Sequence, residues 1–102
     1  MANYVLAYKG GSMAATEAER EAAMAAWGSW FGTLGQAVVD AGNPFGASTS
    51  VGANGSSGSQ GNLTGYSVLA ADDLAAAAEL AKGCPVLANG GSVEVYETIQ
   101  VM

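Results

Sequence analysis

The order of strand-like and helix-like segments most narrows what this chain can fold into. Residues that favour strands, or that alternate between apolar and polar, occupy 3–9, 45–52, 63–71 and 92–101, while helix-forming residues fill 16–40 and 72–83. This order of strand, helix, strand, strand, helix, strand predicts an α+β, ferredoxin-like βαββαβ fold. We expect an antiparallel four-stranded sheet with both helices on one face, in a single domain over residues 1–102 with a flexible hairpin loop at about 53–62.

The first helix has a recognisable beginning and a continuous apolar face. Thr16 and Glu19 have the spacing of a capping box, in which each side chain bonds a backbone N–H at the helix start. Apolar residues then follow at helical spacing, namely Ala23, Trp27, Trp30, Phe31, Leu34 and Val38. The tryptophan pair is compatible with a stacking platform for a ligand, although packing in the core is the favoured interpretation. The sequence also predicts that another backbone or a ring approaches three glycines of this helix, Gly28, Gly32 and Gly35.

Large apolar side chains are few, since much of the apolar half of the chain is Ala and a further 15 residues are Gly. A core this thin predicts that a second subunit covers another face, so we expect a homodimer. The net charge of −6 argues against nucleic acid and anionic membranes as partners. Residues 22–39 carry no charge, but glycine and polar residues interrupt them, which favours a buried helix over a membrane span. The N-terminus lacks the pattern of a signal peptide, so we expect a cytoplasmic protein.

Few side chains are suited to catalysis. The chain has no histidine, which excludes triads and metal sites built on that residue, and we expect neither a metal nor a cofactor. Cys84 follows the end of a helix, where the dipole disfavours a thiolate, so we expect a structural role for it. Asp72 and Asp73 are compatible with an acid/base pair, but a helix cap with Asp72 as the N-cap explains them better.

Glu94 is the carboxylate that we consider most suited to chemistry. It interrupts an apolar strand, and alternation places it opposite Val93 and Val95. Burial in a barrel interior shared with a second subunit would raise the pKa of Glu94 toward a value useful to a general acid or base, whereas a solvated or salt-linked edge position is the alternative. A few polar and aromatic side chains are expected to bind the ligand: Tyr66, Tyr96, Ser48, Ser67 and Trp30.

The stretch LTGYSVLAADDLAAAAELAKGCPVLANGGSVEVYE resembles the matching segment of the YCII-related (DGPF-type) domain family. The opening YVLAY and the helix WGSWFGTLGQAVVDAG fit the same family, so the resemblance covers nearly the whole chain. It implies a dimeric α+β barrel in which two subunits pack sheet against sheet, with pockets near the dimer centre. The chain lacks the Asp-Gly-Pro-Phe segment, and it lacks the histidine of a His and Asp pair proposed for some members. No catalytic residue can therefore be transferred by position.

The resemblance implies a biochemical role that is mostly undefined within the family. Related barrels include muconolactone isomerases and cofactor-free monooxygenases, and we therefore expect a homodimer that binds a small organic molecule and is compatible with a cofactor-free enzyme. YCII-type domains also occur beside alternative sigma factors. The alternative is a non-catalytic interaction or sensing module associated with transcription regulation.

Overall fold

A computed structural model describes residues 2–10, 16–58 and 63–101 of the chain. Its elements, in order, are β1 (Ala2–Lys9), α1 (Glu17–Leu34), a 3₁₀ turn (Gly35–Ala37), β2 (Val38–Asp40), β3 (Thr49–Gly52), β4 (Gly55–Gly58), β5 (Leu63–Ala71), α2 (Leu74–Ala81), α3 (Pro85–Ala88) and β6 (Ser92–Glu97). Four strands form an antiparallel sheet in the order β2-β5-β1-β6. This topology confirms the α+β, ferredoxin-like prediction.

The two central strands, β1 and β5, carry the core on the sheet face that is turned toward the helices. Tyr4, Leu6 and Tyr8 alternate along β1 and are buried, and they lie opposite residues of β5 that are also buried. Leu6 and Leu69 are 0% exposed, in one apolar cluster with Trp30, Ala81 and other helix residues. The period of two along both strands therefore fixes which sheet face the helices cover.

The opposite face of the sheet, here called the open face, carries the intervening residues of the same strands. Val5 pairs with Val68 at its centre, and Ala7 lies between Tyr66 and Glu94 in the register. Ala7 is buried because its two larger neighbours flank it, while both valines remain half-buried. The open face thus mixes apolar and charged residues.

The second strand of the sheet is shorter and earlier than the sequence predicts. It consists of Val38–Asp40 instead of residues 45–52, and α1 correspondingly ends at Leu34 instead of reaching the end of β2. Gly35 leaves the helix with a φ of 57°, a conformation that favours glycine. Val38 and Val39 favour an extended backbone, so the chain forms a strand there. Val38 also fits the apolar spacing of α1, which is why the sequence predicted a longer helix.

Residues 45–52 contribute instead to a separate hairpin. β3 pairs with β4 in antiparallel register, and the two form their own two-stranded sheet. The predicted loop at 53–62 therefore contains a strand in its first half, and its remainder, residues 59–62, lies outside the described residues. The last strand was also predicted too long, since β6 ends at Glu97 while Ile99 and Val101 are exposed.

Both long helices begin at a predicted type of N-cap, although the N-cap of α2 lies one residue later than predicted. The side chain of Thr16 accepts a hydrogen bond from the backbone N–H of Glu19 at 3.1 Å, as predicted. For α2 the N-cap is Asp73 and not Asp72, because Asp73 Oδ1 accepts from the N–H of Ala76 at 2.8 Å. A cap was therefore the right interpretation for one of the two carboxylates, although the capping residue is Asp73.

A bulge at residues 41–43, on the edge of the sheet, brings two backbones unusually close. Gly42 has a φ of 76°, and a Cβ at this position would lie 1.8 Å from the carbonyl oxygen of Tyr66. Asp40 Oδ1 accepts a hydrogen bond from the N–H of Gly42 at 2.9 Å, which closes the turn. Beyond the bulge Pro44 bridges to Gly65, so the edge strand resumes its pairing with β5.

The close approach predicted at Gly28, Gly32 and Gly35 is not found. A Cβ added at any of these three glycines would meet no neighbouring atom within 4 Å, so that prediction is wrong.

The described part of the chain is flat. Its principal extents are 43 × 39 × 18 Å and its radius of gyration is 15.0 Å, compared with about 13 Å for a compact domain of this length. None of the helices among the described residues has the length and apolar character needed to cross a membrane. One helical layer on one face of a sheet accounts for the smallest dimension.

The bulge generates a stability prediction with an internal control. Gly42→Ala should lower the free energy of unfolding by at least about 2 kcal/mol, since it adds a backbone clash to a left-handed φ. Gly28→Ala in the exposed interior of α1 should raise it by about 0.5–1 kcal/mol. Urea unfolding followed by circular dichroism measures both, and equal effects of the two substitutions would contradict the assignment of Gly42 to a strained close approach.

Candidate functional site

A cleft of about 460 Å³ opens between α1 and the β2 edge of the sheet. Its walls come from α1, from the bulge and the bridged segment after it, and from the beginning of β5, with single contributions from β1 and α3. The lining residues are Tyr8, Met24, Trp27, Phe31, Ala41, Gly42, Asn43, Pro44, Thr64, Gly65, Tyr66 and Val86. Among the described residues that line the cleft, none carries a charge.

Aromatic rings of α1 form one wall of the cleft. Trp27 packs edge-on against Tyr8 with ring centroids 5.0 Å apart, and its centroid lies 5.9 Å from that of Phe31. Both α1 rings are half-buried, and Met24 at the rim is 75% exposed. Such rings present apolar surface at little entropic cost, which suits this wall to a flat apolar ligand.

The hydroxyl of the lining residue Tyr8 and that of Ser67, which lies beneath the lining, form a short buried relay. Tyr8 Oη donates to Ser67 Oγ at 2.7 Å, and Ser67 Oγ donates to the carbonyl oxygen of Ala41 at 2.6 Å. Ser67 is 0% exposed and Tyr8 is 5% exposed. Burial raises the pKa of Tyr8 to about 12, so its hydroxyl stays neutral at physiological pH.

The bulge explains how a backbone carbonyl reaches this relay. Backbone pairing stops after Asp40 and resumes where the N–H of Tyr66 donates to the carbonyl oxygen of Asn43 at 3.3 Å. Ala41 and Gly42 lie between the two paired pieces, so Ala41 is released from the ladder and its carbonyl accepts from Ser67. Bulges often redirect groups beside functional sites in this way.

The structure brings together only part of the predicted ligand-binding set. Tyr66 lines the rim of the cleft and stacks on Phe45, with centroids 5.8 Å apart, and Ser67 lies beneath the cleft in the relay. Trp30 is buried in the core, where its Nε1 donates to the carbonyl of Leu80 at 3.2 Å, as the core interpretation predicted. Ser48 is exposed directly before β3 and is not among the lining residues.

Glu94 and Tyr96 lie away from the cleft, on the open face. Lys9 forms an ion pair with Glu94, and the hydroxyl of Tyr96 donates to the same carboxylate. The hydrogen bond from Lys9, followed by that from Tyr96, holds the pKa of Glu94 below its usual range. Within one chain Glu94 is therefore a salt-linked carboxylate, which is the alternative given above, and its burial against a second subunit stays a prediction.

Several lining residues were not singled out from the sequence. Tyr8 was assigned only to a strand, and Met24 and Asn43 carried no motif. The alternation of Tyr4, Leu6 and Tyr8 was the available signal for Tyr8, since it places all three on one face of β1. Asn43 reaches the cleft through a bulge that no local pattern indicated.

Cys84 is buried between α2 and α3, and burial raises the pKa of its thiol to about 11. A thiol whose pKa rises from 9.0 to about 11 has about 100-fold less thiolate at pH 8 than the unfolded chain. The folded protein should therefore react with iodoacetamide at least about 100-fold more slowly than the protein in urea. Mass spectrometry of timed samples measures both rates, and comparable rates would remove the structural assignment of this cysteine.

Comparison with known proteins assigns the chain to a family. Neither a search of curated proteins nor a search of solved structures found a match to the chain. The family model described as YCII-related domain matches residues 1–101, which is essentially the whole sequence. The chain therefore belongs to the YCII-related domain family.

Proposed function

We propose that this chain is a ligand-binding domain whose cleft takes one small, uncharged and largely apolar molecule. The observation that carries the proposal is the lining, in which the aromatic wall of Trp27 and Phe31 faces no charged side chain among the described residues. A charged ligand would lose its hydration there without gaining a partner of opposite charge. An apolar ring would gain contact with two aromatic side chains.

The size of the cleft supports a ligand of one or two rings. Pockets for small molecules have volumes of about 300–1,000 Å³, and this one has about 460 Å³. The proposal assigns binding and not a reaction, since Glu94 lies on the other side of the sheet from Tyr8. An enzyme and a sensing module would both use such a cleft, and chemical change of a bound molecule distinguishes them.

A neutral fluorescent dye tests the binding site directly. N-phenyl-1-naphthylamine should bind with increased emission, and Met24→Glu should weaken that binding by about tenfold, because it places a carboxylate at the apolar rim. Ala25→Glu is the matched control, since Ala25 is an exposed neighbour on α1 that does not line the cleft. Equal affinities of the two variants, or the absence of saturable binding, would refute the proposal.

We also propose that two chains associate through the open face to form a homodimer. Support comes from the flat shape of the chain and from the half-buried pair Val5 and Val68 at the centre of that face. The charges nearby are already paired, because Lys9 and Glu94 neutralise each other within one chain, and this pairing lowers the free-energy cost of burying them. Tyr96, which is 54% exposed, would gain contacts on the same face.

Light scattering coupled to size-exclusion chromatography tests the assembly. The protein should elute with about twice the monomer mass of 10.1 kDa, and Val68→Glu should shift it to the monomer by placing an unpaired charge in the interface. Ala78→Glu adds the same charge on the exposed side of α2 and should leave the dimer intact. A monomeric native protein at micromolar concentration would exclude this assembly.

A further inference from the structure

The direction of both hydrogen bonds in the relay is fixed by counting hydrogens. The carbonyl oxygen of Ala41 can only accept, so the single hydroxyl hydrogen of Ser67 must point toward it at 2.6 Å. Ser67 Oγ can then act only as an acceptor toward Tyr8, so the Tyr8 hydroxyl must donate its own hydrogen in the 2.7 Å bond to Ser67. The Tyr8 oxygen is left with lone pairs and has no hydrogen to offer to a ligand.

Tyr8 is the lining residue at which an acceptor-only hydroxyl affects ligand affinity most strongly. Among the described lining residues it is the only polar side chain that is buried with a hydroxyl group, whereas Asn43 and Thr64 are exposed and Tyr66 is half-buried. Water competes with ligand groups at the exposed positions. At a buried acceptor, a ligand without a donor leaves lone pairs unsatisfied and loses affinity.

We propose that the cleft selects neutral aromatic ligands that carry a hydrogen-bond donor, such as a phenolic hydroxyl or an aromatic N–H, and discriminates against their ethers and ketones. This inference rests on the proposed function, since it specifies the class of ligand for the same cleft. The body of the ligand contacts the ring of Trp27, and its donor points to Tyr8 Oη. The polarity of the site is set by Ser67 and the Ala41 carbonyl, which act through Tyr8.

The charge state of the ligand follows from the same groups. A phenolate oxygen carries only lone pairs, and it would face the lone pairs of Tyr8 with no cationic side chain among the described lining residues. Burial raises the pKa of Tyr8 to about 12, so Tyr8 itself adds no negative charge over the usable pH range. Binding of a phenol should therefore weaken as pH rises through the pKa of the phenol.

Fluorine NMR with three matched probes tests the selectivity. 4-Fluorophenol should bind about tenfold more tightly than 4-fluoroanisole, in which the hydroxyl hydrogen is replaced by methyl, and than 4-fluorotoluene, which has no oxygen. In Tyr8→Phe the ratio of the phenol and anisole affinities should fall to about one. Tyr4→Phe is the matched control, because Tyr4 is a buried tyrosine on the same face of β1 outside the cleft, and its ratio should stay near ten.

Ser67→Ala tests the hydrogen count itself. Removal of the Ser67 acceptor frees the hydroxyl hydrogen of Tyr8, so the acceptor-only probe 4-fluoroacetophenone should gain affinity by about fivefold or more while 4-fluorophenol loses its advantage. A merely structural role of Ser67 would weaken all probes together and leave their ratios unchanged. If Ser67→Ala does not fold, the ratio measured in Tyr8→Phe decides alone.

The results of these experiments distinguish a failure of the donor selectivity from a failure of the cleft to bind ligands at all. Equal affinities of 4-fluorophenol and 4-fluoroanisole for the native protein would overturn the inference and leave the cleft as an apolar binding site. Unchanged ratios in Tyr8→Phe would overturn it as well. Failure of every probe, including 4-fluorotoluene, to bind at millimolar concentration would overturn both the inference and the proposed function.

Discussion

The close approach of Gly42 to the carbonyl of Tyr66 is the constraint on which the cleft side of this molecule depends. It allows the edge strand to leave its pairing with β5 for one turn and to resume it at Pro44. The turn is held by Asp40, whose carboxylate accepts from the N–H of Gly42. Without this arrangement the Ala41 carbonyl would remain in the ladder, Ser67 would lose its carbonyl acceptor, and one wall of the cleft would be missing.

The architecture was predictable because it depends on patterns that extend over many residues. Alternation along β1 and β5, the spacing of aromatic residues on α1 and the cap of Thr16 each repeat a local rule, and together they determine the order of elements. Boundaries were less predictable where two rules competed. Val38 continues the apolar period of α1 and is also β-branched, so only its pairing with Leu69 settles its place in a strand.

The site was less predictable than the fold, because bulges and backbone approaches leave no periodic signal. Nothing in the composition of the chain distinguishes Gly42, which is required by sterics, from Gly28, which faces open space. The sequence did indicate Tyr66, which lines the cleft, and Ser67, which lies beneath it, but alternation also assigned importance to Glu94 and Tyr96, which do not border the cleft. A strand pattern gives two faces and does not say which one borders a cavity.

The relay also bears on how sequences of this kind can diverge in ligand preference. Its terminal acceptor is the main-chain carbonyl of residue 41, so no side-chain replacement there removes the oxygen. Tyr8 is held in place by the core around it, so Ser67 is the member of the relay that a substitution can most readily change. Under the proposed selectivity, a single codon change at that position would free the Tyr8 hydroxyl to donate while the backbone and the aromatic wall persist, so relatives that share the fold could accept ligands that the relay disfavours here.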